Sequence, residues 1–164
     1  MSEQRETLTW NDFGTAVDAL ARQVVESGFE PDVVLSIARG GLALGMGLGY
    51  ALDVKNLSAV NVEFYTGVNE RLPVPIMLPP TPSVVDLDGL KVLIADDVAD
   101  TGLTLAHVQE FIADHVLEAR TAVVYEKPRS VVKPDYVWKR TDLWIDFAWS
   151  AVGPLVNRNG GKAH

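Results

Sequence analysis

The chain has 164 residues, no cysteine and a net charge of −8, from 14 lysines and arginines against 22 aspartates and glutamates. The lack of cysteine excludes disulfides, thiolate catalysis and cysteine-based zinc sites. The acidic charge argues against binding nucleic acid or a membrane through bulk positive charge. The length fits one domain over residues 1–164. No N-terminal apolar run and no stretch of about 20 apolar residues is present, so we expect a cytoplasmic protein.

Helical and strand-like segments alternate along the chain. In chain order, the sequence predicts a helix over 9–28, a strand over 33–37, a helix over 42–52, strands over 57–65 and 91–97, a helix over 104–116 and a strand over 121–125. The first helix has an apolar stripe at helical spacing and a capping-box pattern at Thr9 and Asp12. This order predicts an α/β fold with a doubly wound, mostly parallel sheet.

The segment between the second and third strands is rich in proline. Residues 67–88 contain five prolines and predict a long extended loop, with a short strand at Val74–Leu78. A loop of more than about 12–15 residues in a compact domain is usually functional or mobile. The segment 136–149 is rich in aromatic residues, and no helix or strand is predicted in it. Residues 157–164 are predicted to be frayed.

Two polar segments leave the ends of predicted strands, where the ligands of such sheets bind. In the later one, Asp96 and Asp97 are suited to accept hydrogen bonds from a vicinal diol or to approach a divalent cation. The following turn, Thr101–Thr104, offers backbone amides and two hydroxyls at a helix N-terminus, a cradle for a phosphate monoester. The alternative is that the aspartates only cap a turn. The whole run predicts a ribose 5-phosphate site.

This run resembles the signature with which type I phosphoribosyltransferases bind 5-phosphoribosyl 1-diphosphate (PRPP). The earlier segment, Ser36–Leu42, resembles the pyrophosphate loop of that family, in which the peptide at Ala38–Arg39 is often cis. Lys127, the stretch 133–137 and Trp144–Ile145 resemble the purine-binding hood of the 6-oxopurine enzymes. The resemblance implies the type I phosphoribosyltransferase fold, with a core at about 31–127 and a small C-terminal hood at about 128–150.

The resemblance also implies a role for each matching residue. PRPP ribose and phosphate are bound by Asp96, Asp97, Asp100, Thr101, Gly102, Leu103 and Thr104; pyrophosphate by Ala38, Arg39 and Gly40; the purine by Lys127, Trp144 and Ile145. Mg²⁺ is held by Asp96 and Asp97, through water and together with PRPP oxygens. Tyr65 belongs to a lid over the bound PRPP, which closes with the proline-rich loop.

The residue at position 100, an aspartate, narrows the choice of substrate base. Adenine enzymes of the family carry alanine at this position and orotate enzymes threonine, whereas 6-oxopurine enzymes place a carboxylate near N7 of the base as catalytic general base. We therefore expect an enzyme that transfers phosphoribosyl from PRPP to N9 of hypoxanthine, guanine or xanthine in purine salvage. Ser150 stands where relatives carry an aspartate, which leaves the choice among these purines open.

Other hypotheses remain beside the purine enzyme. The same fold serves for a PRPP- or nucleotide-sensing regulator with little turnover, or for a phosphoribosyltransferase of another base. The expected partners are PRPP, the purine base and the product nucleoside monophosphate. Family resemblance further implies a homodimer or homotetramer.

Overall fold

The computed structural model describes residues 4–65, 74–78 and 84–156. Its elements in chain order are β1 (Arg5–Leu8), α1 (Trp10–Glu26), β2 (Val33–Ala38), α2 (Gly41–Ala51), β3 (Leu57–Tyr65), β4 (Val74–Leu78), a 3-10 helix (Val84–Leu87), β5 (Lys91–Ala99), α3 (Leu103–Ile112), β6 (Glu118–Glu126), β7 (Tyr136–Arg140) and β8 (Trp144–Phe147). No helix in these ranges is long and apolar enough to cross a membrane.

Six of the strands form one sheet in the order β4-β3-β2-β5-β6-β7. All neighbouring pairs are parallel except β3 with β4, which is antiparallel. The order runs outward in both directions from β2 and β5, so the predicted doubly wound, mostly parallel α/β fold is confirmed. The carboxyl ends of β2 and β5 therefore lie side by side.

Helices cover both faces of this sheet. Leu20 of α1 and Leu44 of α2 belong to one buried cluster with Leu93 of β5. Leu105 of α3 belongs to a second buried cluster with Ile94 of β5. Because successive strand residues point to opposite faces, a strand buried on both sides is a near-continuous apolar run. This pattern predicted β2, in which Ser36 is the one polar residue, and β5, through Val92 to Ala95.

The predicted start of α1 is confirmed. The Thr9 hydroxyl accepts from the backbone N–H of Asp12 at 3.1 Å, and the Asp12 carboxylate accepts from the N–H of Thr9 at 3.3 Å. This capping box satisfies two backbone donors that the helix itself leaves unpaired. The helix ends at Glu26, two residues before the predicted end at Gly28.

A second, two-stranded sheet joins the two ends of the described chain. In it β1 pairs in parallel with β8, from Arg5 opposite Trp144 to Leu8 opposite Phe147. The segment 128–150, predicted to form the hood, is divided: β7 extends the large sheet beside β6, and β8 lies in the small sheet. The sequence did not predict β1, because a four-residue strand with one buried side chain has no clear alternation.

Several element bounds differ from their predictions. Strand β5 continues to Ala99, two residues beyond the predicted end at Asp97, so the predicted turn begins later than residue 98. Helix α3 ends at Ile112 instead of 116. Strand β4 is present as predicted, but most of the predicted lid, at 66–73 and 79–83, and the tail at 157–164 lie outside the described residues.

Candidate active site

A cavity of about 290 Å³ opens at the carboxyl end of β5. It is lined by Asp96, by the chain from Val98 to Gly102 and by the first residues of α3, Leu103 to Leu105. The lining includes every residue that the sequence predicted to bind PRPP ribose and phosphate except Asp97. The structure therefore places that segment around one open cavity.

Two adjacent carboxylates stand at the inner wall of the site. The side chain of Asp96 is buried, and its Oδ1 accepts from the backbone N–H of Asp97 at 2.8 Å. Burial, and then repulsion by the Asp97 carboxylate, raises the pKa of Asp96 well above its usual range. Burial also raises the pKa of Asp97. The pair is therefore electrostatically strained and is relieved by a hydrogen-bond donor or a cation.

The predicted pyrophosphate loop meets this pair directly. The peptide between Ala38 and Arg39 is cis, and the side chain of Arg39 is exposed. A Cβ atom on Gly40 would overlap the carboxylate of Asp97, and one on Gly41 would overlap the carbonyl oxygen of Ala95. Glycine at both positions allows the loop to lie against β5.

The predicted phosphate cradle begins with an unusual backbone angle. Gly102 has φ +80°, and α3 starts at the next residue. The side chains of Thr101 and Leu103 are exposed and that of Thr104 is half-buried. The first amides of α3 have no partner within the helix, and they carry the positive end of its dipole. This turn is chemically suited to hold a phosphate.

Asp100 forms an ion pair that the sequence did not predict. Nε of Arg129 donates to Oδ1 of Asp100 at 2.8 Å, and a terminal guanidinium nitrogen donates to Oδ2 at 2.6 Å. Arg129 lies two residues after Lys127, but no pattern in the sequence points to this contact, because it joins two loops at the ends of different strands.

Lys127 connects the site to the hood. Its backbone N–H donates to the carbonyl of Ala99 at 2.9 Å. Its ammonium donates to the carbonyl oxygen of Leu143, the residue before Trp144. The predicted purine-binding lysine and the predicted stacking tryptophan therefore lie on segments that contact each other.

The two predicted hood residues differ in exposure. The side chain of Trp144 is 59% exposed, and that of Ile145 is buried in the core. The guanidinium carbon of Arg5 lies 5.8 Å from the centre of the Trp144 ring, and Arg5 also donates twice to Asp146, at 2.7 and 2.8 Å. Trp144 therefore keeps exposed ring surface for a planar ligand beside the Arg5 guanidinium, whereas Ile145 has only its backbone to offer.

A buried carboxylate supports the strand end that carries Lys127. The side chain of Glu126 is 2% exposed, and it accepts from Lys133 at 2.9 Å and from Arg140 at 2.7 Å. Burial alone would raise the pKa of Glu126, but the hydrogen bonds from Lys133 and Arg140 lower it below its ordinary value of 4.5.

This lowered pKa predicts a pH-dependent contribution to stability. A carboxyl whose folded-state pKa is lowered stabilises the fold above its unfolded pKa and ceases to do so as the pH falls through the folded value. We expect Glu126→Gln to lower the free energy of unfolding by about 1–3 kcal/mol at pH 7. Urea titrations of both proteins should show this difference shrinking below pH 4.5. A difference that grows toward acid pH would contradict the assignment.

Comparison with known proteins identifies the family. The chain matches the phosphoribosyl transferase domain over residues 3–157. It is 30% identical over 161 residues to the xanthine-guanine phosphoribosyltransferase of Chromohalobacter salexigens, across 94% of this chain and 92% of that protein. The purine phosphoribosyltransferase structure from Pyrococcus horikoshii has a TM-score of 0.82 and 36% identity, covering 94% of this chain and 99% of that one.

A more distant structure shares the fold. The Helicobacter pylori xanthine-guanine-hypoxanthine phosphoribosyltransferase is 23% identical, with a TM-score of 0.75 over 89% of this chain and 94% of that one. The resemblance stated from the sequence motifs is thus confirmed at the level of the family. The chain belongs to the phosphoribosyl transferase domain family.

Proposed function

We propose that this protein transfers the 5-phosphoribosyl group of PRPP to N9 of hypoxanthine, guanine or xanthine, with release of pyrophosphate, in purine salvage. The observation that carries the proposal is the meeting of the predicted segments at one strand end: the glycines of the pyrophosphate loop lie against Asp97 and β5, and the cavity contains Asp96, Asp100 and the phosphate cradle. The purine specificity in the names of the relatives supports it.

PRPP is assigned to the β5–α3 turn. The 5-phosphate accepts from the backbone amides of Thr101, Gly102, Leu103 and Thr104 and from the hydroxyls of the two threonines. The ribose hydroxyls donate to Asp96 and Asp97. Within the described residues, neither Asp96 nor Asp97 accepts a hydrogen bond from a cationic side chain. A hydroxyl donor from the sugar therefore stabilises the charge of the pair.

The diphosphate is assigned to the pyrophosphate loop. Ala38 and Gly40 offer backbone amides, and the exposed guanidinium of Arg39 stabilises charge on the leaving group. Asp96 and Asp97 fit an Mg²⁺ ion that keeps several waters and PRPP oxygens. No cluster of three or more metal-ligating side chains occurs in the described ranges. The proposed ion is therefore one that PRPP and the two aspartates share, rather than one enclosed by protein side chains. Bound Mg²⁺ neutralises charge on the diphosphate.

Asp100 is assigned as the general base. The bond between C1 of the ribose and the diphosphate oxygen breaks, the bond from C1 to N9 forms, and the base loses one proton. A carboxylate beside the imidazole ring of the purine accepts that proton, while pyrophosphate leaves with the bonding electron pair. Asp100 lines the same cavity as the phosphate cradle, so this assignment places it beside a base attached to C1.

The purine is assigned to the hood. The ammonium of Lys127 donates to O6 of a 6-oxopurine, whereas the amino group of adenine cannot accept that bond. Trp144 stacks on the ring, and the backbone of Ile145 reaches its edge. Tyr65, at the end of β3, belongs to the lid. Family resemblance supports a homodimer or homotetramer.

Lys127→Met tests the base assignment. We expect KM for the 6-oxopurine to rise about 10- to 100-fold, which corresponds to the loss of one charged hydrogen bond of about 1.5–3 kcal/mol. KM for PRPP should stay within about threefold. Steady-state kinetics of this variant are compared with Lys55→Met, which removes an exposed lysine from the α2–β3 connection. Equal effects in the two variants would remove Lys127 from the purine site.

The proposed function itself is tested by pyrophosphate release. The protein is incubated with PRPP and Mg²⁺, and with hypoxanthine, guanine, xanthine, adenine, uracil or orotate in parallel. Turnover confined to one or more of the 6-oxopurines is the expected result and also settles the choice that Ser150 leaves open. Turnover with another base, or PRPP binding without any turnover, would overturn it in favour of another transferase or a sensor.

A further inference from the structure

The bidentate contact of Arg129 with Asp100 has a geometry that fixes a carboxylate. The two hydrogen bonds, of 2.8 and 2.6 Å, reach different oxygens of Asp100 from different nitrogens of one planar guanidinium. A fork of this kind restricts rotation of the carboxylate, which a single contact does not. Each oxygen keeps a second lone pair, so Asp100 remains able to accept another proton donor.

The contact is too exposed to be important for folding. The side chains of Arg129 and Asp100 are 68% and 44% exposed. Ion pairs between groups as exposed as these contribute little to the free energy of unfolding. Because Asp100 lines the cavity, the role of the contact is sought in the orientation of that carboxylate.

The loop that carries Arg129 is held in place by its backbone. The N–H of Lys127 donates to the carbonyl of Ala99 at 2.9 Å, and the N–H of Val131 donates to that of Thr101 at 2.8 Å. The packing at Gly102 is also close, because a Cβ there would lie 2.8 Å from the backbone nitrogen of Val132. Docking of the loop thus does not require the guanidinium, which is left to act on Asp100.

We propose that Arg129 is a positioning residue, which holds the Asp100 carboxylate in the orientation that accepts the proton of the purine; this rests on the proposed function. The same loop carries Lys127 at its start. The group that reads O6 and the group that orients the proton acceptor therefore lie two residues apart on one docked segment. A base held by Lys127 meets an acceptor whose direction is already set.

Kinetics of Arg129→Met distinguish a role in positioning Asp100 from a role in binding PRPP. We expect kcat to fall about 10- to 100-fold, since a misplacement near 1 Å can cost about 100-fold. KM for PRPP should stay within about threefold. Arg129→Lys should recover only part of the loss, because an ammonium cannot fork. The matched control is Arg22→Met, which removes an equally exposed arginine that pairs with Asp18 at 2.8 Å, and should leave kcat unchanged.

A double-mutant cycle decides whether Arg129 acts through Asp100. In the Asp100→Asn background, Arg129→Met should cause little further loss of kcat, since non-additive effects mark residues that act as one unit. A full further loss would show that Arg129 contacts the substrate itself. An unchanged or raised kcat in the single variant would show that it is dispensable or that it blocks Asp100. Either result overturns the proposal.

A crystal structure of the Arg129→Met variant gives a readout that does not need turnover. We expect the Asp100 carboxylate to rotate away or to occupy two conformers, while the hydrogen bond from Val131 to Thr101 is kept. A carboxylate that stays in place would overturn the positioning role even if the wild-type protein were inactive. Failure of the base panel with a rotated Asp100 would instead count against the proposed function alone.

Discussion

Asp100→Asn is expected to lower kcat by about 10²- to 10⁴-fold, the range over which a positioned general base contributes. Asparagine has nearly the same shape and still accepts one hydrogen bond from Arg129, but it cannot take up the proton of the purine. PRPP binding depends on the neighbouring carboxylates and on the phosphate cradle. We therefore expect KM for PRPP to change by less than about threefold.

The measurement is steady-state pyrophosphate release with the preferred 6-oxopurine, beside PRPP titration by calorimetry. Asp114→Asn is the matched control, because Asp114 is an exposed aspartate after the end of α3 and does not line the cavity. An unchanged kcat in Asp100→Asn would remove Asp100 from the chemistry. A large rise in KM for PRPP with normal kcat would make it a sugar-binding residue instead.

Gly102→Ala is expected to damage both the fold and the phosphate cradle. At φ +80° an alanine is strained, and its Cβ would lie 2.8 Å and 3.0 Å from the backbone nitrogens of Val132 and Val131. Strain of this kind costs about 1–2 kcal/mol, and overpacking adds about 1–3 kcal/mol. The 130–132 segment must move, and the turn that holds the 5-phosphate moves with it.

Gly89→Ala separates the cost of backbone strain from the cost of overpacking. Gly89 has a similar φ of +71°, but nothing lies within 4 Å of the position of its Cβ. Thermal and urea unfolding should show a smaller loss for Gly89→Ala than for Gly102→Ala, and only Gly102→Ala should raise KM for PRPP, by about 10-fold or more. Equal losses of stability together with a normal KM for PRPP would mean that the contact between the two loops does not shape the cradle.

The core of the fold was predictable because its signals are local. The buried runs at 33–37 in β2 and 92–95 in β5 are almost entirely apolar, with Ser36 the one polar residue among them. The capping box at Thr9 lies within four residues, and the turn after β5 has a distinctive order of aspartate, threonine and glycine. Each of these features is produced by the geometry of a single element. The sequence could therefore place the cavity residues at a strand end without knowing the sheet order.

The elements that were not predicted depend on distant partners. Strand β1 is stabilised by β8 from the other end of the described chain, and the Arg5–Asp146 ion pair joins the same two strands. A short polar strand has no pattern of its own when its partner supplies the pairing. The Arg129–Asp100 contact has the same origin, since it joins loops at the ends of β5 and β6.

The most direct test of the central claim is a crystal structure of the protein with inosine 5′-monophosphate. The account predicts the phosphate on the amides of Thr101–Thr104, the ribose hydroxyls on Asp96 and Asp97, and O6 of the base within hydrogen-bonding distance of Nζ of Lys127. A nucleotide bound at another part of the surface, or bound here with its base away from Lys127, would contradict it.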